Sequence, residues 1–475
     1  MKTKIIFCLL LLQQILFSQE KINTFSYEIN KPKSVVTLSD ELNEKVIFIY
    51  DYKTNTDFLL FDENMNPKGK ISETFTEKEK KDYLGYSVSD NKYYIYWERE
   101  NIIEVKELDF ETSSIKTSQL NFVLEKKEKF LSKFSNNGKF YILTSTKETK
   151  ILNIYCLENN AIIKKAIDFK AFRFMNSIGS SINFHDLCWE HNGTVFTDGF
   201  RIMSNNSFPS LVTSTQKKKI YIQNDTLILA FDENPSFTQV LLINLNDYST
   251  IHKVFDKPYL VWDNQFVTID SNSYIINNHV FQIKKADGKI YISIKDFENN
   301  EIKNIAYQID NFGKFFNSDF IQEEGSFTKK TILEKPNQFI RRASEQNPAI
   351  NGFYEDNKYQ IDLGGVSYPQ QNNGALIGGM IGGLAGSLVG TLIAGNPSNL
   401  AINSYANRRV LHLKLILDKD FNHLAEKAPN SKLENLRSFI ETEKDQDFNL
   451  IYSLKNKLYL TSYDKKLKQT VFYKF

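Results

Sequence analysis

The densest cluster of reactive side chains in this 475-residue chain is the heptapeptide HDLCWEH, which gathers His185, Asp186, Cys188, Glu190 and His191. Imidazole, thiolate and carboxylate suit zinc, and three such ligands plus a water make a catalytic set. Spacing argues against that set, because on an extended strand Cys188 points away from both histidines and no further His or Cys motif completes a site. His185, Cys188 and His191 therefore stand as weak metal candidates, below an ordinary loop and strand with Trp189 in the core. The sequence calls for no cofactor. It contains no GxSxG, HExxH or CxxC motif, so catalytic residues stay unknown.

A second pattern is physical rather than reactive. From Gly374 to Asn396 the sequence GALIGGMIGGLAGSLVGTLIAGN carries no charge, and Gly374, Gly378, Gly382, Gly386, Gly390 and Ala394 recur every four residues. On a helix this spacing makes one stripe without bulky side chains, along which another backbone can approach closely. The segment resembles the glycine-zipper segments of bacterial envelope proteins. As a helix it would extend roughly 30 Å, the thickness of a bilayer core. In water each glycine would cost about 0.5–1 kcal/mol relative to Ala, so the helix would need protein or lipid to pack against. A flexible glycine-rich loop is the alternative, but such linkers favour polar residues over Leu and Ile.

The elements that must carry these segments are short β-branched and aromatic runs broken by Asn, Asp, Gly and Lys. Six runs share a turn, a lysine and alternating apolar residues, anchored at Lys45, Lys92, Lys139, Lys219, Lys289 and Lys457. In a second pattern a strand ends in Asp before a tight turn, at Asp62, Asp418 and Asp464, with looser copies at Asp109 and Asp296. Such an aspartate caps the turn by accepting from backbone amides two residues on; Ca²⁺ binding would need a D-x-D-x-D-G loop that no copy has.

Units of ~40–50 residues with several short strands resemble the broad class of secreted bacterial β-propellers. The WD40 and kelch signatures are absent. That resemblance implies a mainly β, propeller-like ring of six to eight blades, closed by pairing the first strand, near NTFSYEI, with the last, near KQTVFYKF. Residues 19–325 and 406–475 would supply the blades. Residues 326–405 would form an insertion, helical after Pro336, that contains the zipper. A single membrane crossing would separate the closing blades from the rest. A re-entrant helix pair folding back near 383–387, or a helix packing on a second copy, fits better.

Composition narrows the function. With 59 basic and 57 acidic residues and no basic stripe, nucleic acid is not an expected partner. Lys2 and Lys4 precede an apolar run from Ile5 to Phe17, and Ser18 offers a small residue for cleavage, the plan of a signal peptide over residues 1–18. Of the three cysteines only Cys156 and Cys188 would remain after cleavage, free to pair in an oxidising compartment. The expectation is an exported, non-enzymatic protein of the periplasm, membrane-associated envelope or medium. The zipper would meet a membrane or a second copy, and the loops would meet protein or glycan ligands. The alternative is a propeller hydrolase or lyase acting in the central funnel. Mass spectrometry of the exported protein should find Gln19 at its N-terminus, and an intact Met1 would refute export by this route.

Overall fold

The computed structural model describes residues 19–475 except 31, 76–81, 100, 191–198, 204–209, 260–268, 287–288, 308–315, 326–328, 369–403, 406–407 and 444–448. Residues 1–18 and 374–396, expected to be a signal peptide and a glycine zipper, lie outside the described residues. After β1 (Glu20–Ser26) come three antiparallel sheets of one plan: β2 (Ser34–Asp40), β3 (Lys45–Asp51), β4 (Asn55–Asp62) and β5 (Pro67–Thr74); β6 (Asp82–Ser89), β7 (Lys92–Arg99), β8 (Ile102–Asp109) and β9 (Ser114–Asn121); β10 (Glu128–Asn136), β11 (Lys139–Thr146), β12 (Ile151–Glu158) and β13 (Ala161–Asp168). A hairpin, β14 (Phe174–Met175) and β15 (Ser181–Ile182), leads to α1 (Phe184–Trp189).

The fourth sheet contains β16 (Arg201–Met203), β17 (Lys218–Gln223), β18 (Thr226–Phe231), β19 (Phe237–Asn244) and β20 (Thr250–Asp256), with α2 (Leu211–Ser214) between its first two strands. The fifth is β21 (Asp270–Ile276), β22 (His279–Ala286), β23 (Lys289–Asp296) and β24 (Glu301–Tyr307). In the sixth, β25 (Phe320–Glu324), β26 (Lys330–Leu333), β27 (Asn347–Glu355), β28 (Lys358–Val366) and β29 (Arg409–Asp418) pair in the order β26-β25-β29-β28-β27. Helix α3 (Pro336–Ser344) precedes β27 and α4 (Lys432–Thr442) follows β29. The last sheet joins β30 (Asn449–Leu454), β31 (Lys457–Asp464) and β32 (Gln469–Lys474) to β1 at its outer edge.

Alternation explains why the inner strands read as unbroken apolar runs: successive residues face opposite neighbours. In β3, Val46, Phe48 and Tyr50 enter one core while Ile47 and Ile49 enter the next. Likewise β7 sends Tyr93, Ile95 and Trp97 one way and Tyr94 and Tyr96 the other. The outer strands β5, β9 and β13 bury at most one residue each. The fold is thus mainly β and propeller-like, with the first six sheets packed each on the next and the seventh on the first. The first and last sheets share a core in which Phe48 meets Tyr452 at 5.5 Å and Phe61 meets Phe472 at 5.4 Å between ring centroids. Helix α4 joins the sixth sheet to the seventh, with Leu433 packed beside Ala349, Val366 and Val410 and Leu436 beside Ile451, Leu458 and Leu460.

Turn chemistry sets the strand ends. Asp90–Asn91, Asn137–Gly138, Asp356–Asn357 and Lys455–Asn456 hold positive φ at both central residues, the primed-turn geometry that suits a twisted hairpin. Asp62, Asp109, Asp296, Asp418 and Asp464 each accept from the backbone N–H two residues on, as the turn reading expects. Four of these five close the strand that pairs with the sheet's second and outer strands; Asp464 instead closes the second strand of its sheet. Its place is therefore not equivalent to that of Asp62 and Asp418, because the motif records a local turn and not a position in the sheet. The lysine anchors divide in the same way: Lys45, Lys92, Lys139 and Lys457 open second strands, Lys289 opens a third, and Lys219 lies in the first antiparallel strand of the fourth sheet.

Helix α3 begins at Pro336 as expected. Within the expected insertion, residues 347–366 form the β27–β28 hairpin, which pairs with β29. Replacing Phe48 by Ala, at the seam of the first and last sheets, should destabilise the protein by about 3–5 kcal/mol in denaturant unfolding; a loss under about 1 kcal/mol would mean that the seam is not a shared core.

Candidate functional site

Strand direction divides the molecule into two ends. One is a turn face, where tight turns such as Asp90–Asn91 meet across sheets, as Asn137 Nδ2 does with Asp225 Oδ1 at 2.7 Å and Lys455 N–H with Glu41 Oε2 at 2.6 Å. The other is a loop face, carrying the links between sheets and the excursion that separates β28 from β29. Val366 and Val410 are direct partners, and Ser367 N–H donates to Arg409 O at 2.9 Å. The chain therefore leaves and returns at one point of the loop face. Its return is fixed by Tyr405, whose buried hydroxyl accepts from Leu211 N–H at 3.2 Å and whose ring lies 3.6 Å from the Arg437 guanidinium.

Two buried ionic networks lie beneath this face. Asp232, just past β18, accepts from Lys219 Nζ and from the Thr238 and Ser273 hydroxyls, each at 2.8 Å, with Lys257 Nζ 3.2 Å away. Lys219 also donates to Asn272 Oδ1 at 2.5 Å, so the network ties β17 and β18 to β21. Burial alone would protonate Asp232, but Lys219 and Lys257 outweigh it and hold the carboxyl well below its usual range. Burial pushes Lys257 down to about 8 even with Asp232 beside it. With these bonds made, the network fixes packing between sheets rather than presenting a free reactive group.

The second network joins Glu323 on β25, Asp362 on β28, His412 on β29 and Arg437 on α4. Arg437 Nη2 donates to Glu323 Oε2 at 2.7 Å, and His412 lies 3.3 Å from Glu323 and 3.1 Å from Asp362. Burial would discharge His412, but Asp362 and Glu323 hold the imidazolium up to about 10. Burial likewise opposes ionisation of Glu323, and His412 with Arg437 brings its pKa down to about 2. Beside it, at the root of the excursion, Gln322, Glu324, Arg341, Arg342, Glu345 and Arg409 line a cavity of about 490 Å³.

The HDLCWEH residues take a different conformation from the one expected. Residues 184–189 form α1, not a strand, because Asn183 caps the helix by accepting from Asp186 N–H at 2.8 Å. His185 and Cys188 share a helical face, but His185 Nδ1 meets Ser145 Oγ at 2.9 Å and Cys188 is buried among apolar residues. His191 lies outside the described residues, as do Gly374, Gly378, Gly382, Gly386, Gly390 and Ala394. Among the described residues no group of three or more His, Cys, Asp or Glu is placed to hold a metal ion. Cys156 and Cys188 occupy one core but are not bonded to each other, and burial pushes both thiols up, which makes them unreactive. No described helix is long and apolar enough to cross a membrane.

One group escaped the sequence reading. Burial, only partly offset by Lys218, pushes the Glu233 carboxyl up to about 7, and one of its oxygens has no hydrogen-bond partner among the described residues. Such a carboxyl exchanges its proton near neutrality. Its sequence context, Phe231-Asp232-Glu233-Asn234-Pro235, reads as a turn and gives no sign of burial.

No family model and no curated protein matches this sequence. Among solved structures, an uncharacterised protein from Listeria monocytogenes superposes with a TM-score of 0.29 at 10% identity, over 71% of this chain and 82% of that one. The Dos1 propeller superposes at 0.27 and 8% identity, over 96% and 95% of the two chains. The WD40 domain of SCAP from fission yeast gives 0.26 and 9%, over 73% and 86%. Superpositions this loose carry no weight beside the strand pairing.

His412 yields a pH signature. Its folded pKa lies above that of an exposed histidine, so its contribution to stability is complete below about pH 6.5 and is lost as pH rises toward about 10. Stability measured from pH 6 to 10 should therefore fall more steeply in the native protein than in His412→Gln, and equal slopes would show that the imidazolium is not held by these carboxylates.

Proposed function

We propose that the chain is an exported, non-enzymatic scaffold of the cell envelope, with residues 1–18 as its signal peptide. Its seven four- and five-stranded sheets would form a ring of seven blades that β1 closes on β32. Segment 374–396 serves for membrane association or for packing against a second copy, and the remaining loops are open to protein or glycan ligands. The observation that carries this reading is the pairing of Val366 with Val410. An uncharged, glycine-striped stretch is hung from a rigid hairpin, so it can enter lipid or meet another copy without pulling a blade across a membrane. A scaffold role also accords with the ionic groups beneath the loop face, where Asp232 is held by Lys219 and Lys257 and Glu323 by His412 and Arg437.

Fractionation of cells expressing the tagged protein, with and without residues 374–396, tests the proposal. The full chain should partition with membranes or sediment as an oligomer, and the shortened chain should do neither. Gly382→Leu with Gly386→Leu should abolish self-association while thermal unfolding of the β domain stays unchanged. Loss of both would place the segment in the core, and no change in sedimentation or partition would reduce it to a loop.

A further inference from the structure

Strands β13, β20 and β26 expose Ile163, Ile251 and Ile332, but the exposed apolar side chains of the loops are unevenly divided between the two ends of the molecule. Among the described residues, the large apolar side chains that lie in loops and are more than half exposed are Leu42, Val123, Ile178, Tyr259, Tyr368 and Leu467. Leu42 belongs to the turn face. The other five belong to the loop face: Val123 follows β9, Ile178 lies between β14 and β15, Tyr259 follows β20, Tyr368 follows β28, and Leu467 lies between β31 and β32. Ile178 and Tyr259 are 82% and 86% exposed, close to the state of an unfolded chain. A single exposed apolar residue needs no explanation, but five tips gathered at one end point to a surface that covers them.

Basic residues stand beside several of these tips. Lys126 and Lys127 follow Val123, Lys465, Lys466 and Lys468 flank Leu467, and Arg409, next to the Tyr368 strand end, donates its N–H to Ser367 Oγ at 2.8 Å. Lys127, Arg409 and Lys468 have carboxylates nearby, Glu148 at 3.8 Å, Glu324 at 3.3 Å and Glu28 at 2.9 Å, but all three pairs are largely exposed and weak in water. Separate apolar tips interleaved with bases do not build a groove for a peptide. They suit a plane whose interior is apolar and whose surface is anionic. The excursion that contains the uncharged stretch 374–396 opens on the same plane.

We propose that the loop face lies on an anionic lipid bilayer, with Val123, Ile178, Tyr259, Tyr368 and Leu467 entering the headgroup–acyl boundary and the neighbouring lysines and arginines meeting lipid phosphates. This rests on the membrane reading above for its partner, but the contact is made by the described tips and not by residues 374–396.

Sedimentation with sucrose-loaded vesicles, equimolar phosphatidylcholine and phosphatidylglycerol or phosphatidylcholine alone, tests it on the mature chain. The triple variant Val123→Ser, Tyr259→Ser, Leu467→Ser should lower partition to the anionic vesicles roughly tenfold, while Leu42→Ser changes nothing. The triple variant should lower it in the chain lacking 374–396 as well, and salt should weaken binding in both. Undiminished binding by the triple variant, with loss on deleting 374–396, overturns the loop-face contact and leaves the zipper reading standing. Loss in the triple variant with no effect of the deletion supports the contact and removes the zipper as anchor. An absence of vesicle binding by the full chain overturns both.

Discussion

No sheet in this protein can bury its own apolar surface, and the rest of the structure follows from that constraint. Strands such as β3 and β7 are apolar on both sides, so each sheet needs a neighbour on each face. A row of such sheets would leave two raw faces at its ends. The aromatic seam of Phe48, Phe61, Tyr452 and Phe472 removes them by bringing the first and last sheets together. β1, pairing with β32 along its length, covers the edge strand of the last sheet with the opposite end of the chain. Helix α4 does similar work where the sixth and seventh sheets meet, held at its start by a capping box between Ser431 and Glu434.

The same stacking explains the buried charge. Where sheets four, five and six converge under the loop face, links of varied length replace the regular turns, and lysines and carboxylates fill the space. Asp232 with its two lysines lies there, and Glu323 with His412 and Arg437 lies between the sixth sheet and α4. Pairs of this kind add little stability over apolar packing, but they penalise any other register strongly, since a slipped strand would leave a buried charge alone. The consequence is an end whose strand registers are fixed by buried charge, and in this account its exposed loop tips, not the ionic networks, meet the partner.

What could be read in the sequence was local. Alternation, positive-φ turns at Asp90–Asn91 and Lys455–Asn456, and aspartate-capped turns each leave a signature within a few residues, and all were visible before any strand was placed. The β27–β28 hairpin of the sixth sheet went unplaced although Asp356-Asn357-Lys358-Tyr359 repeats Asp90-Asn91-Lys92-Tyr93. Its two outermost strands, β25 and β26, precede the other three in the chain, and its second and third strands are parted by the long excursion, so no regular spacing survived. The α1 helix hid behind its short length, its one signal being Asn183 three residues before Asp186. The ionic networks left no trace at all: Asp232 and Ser273, or Glu323 and Arg437, are brought together by sheet packing across long stretches of sequence.

The proposed closure of a ring by β1 can be tested directly, because Thr24 and Val471 are partners across the β1–β32 ladder. In the double variant Thr24→Cys, Val471→Cys, mild oxidation of the folded protein followed by peptide mass spectrometry should find the two new cysteines joined, with the melting temperature raised relative to the reduced form. Cysteines that remain separate under oxidation, while the protein is folded, would contradict closure by β1.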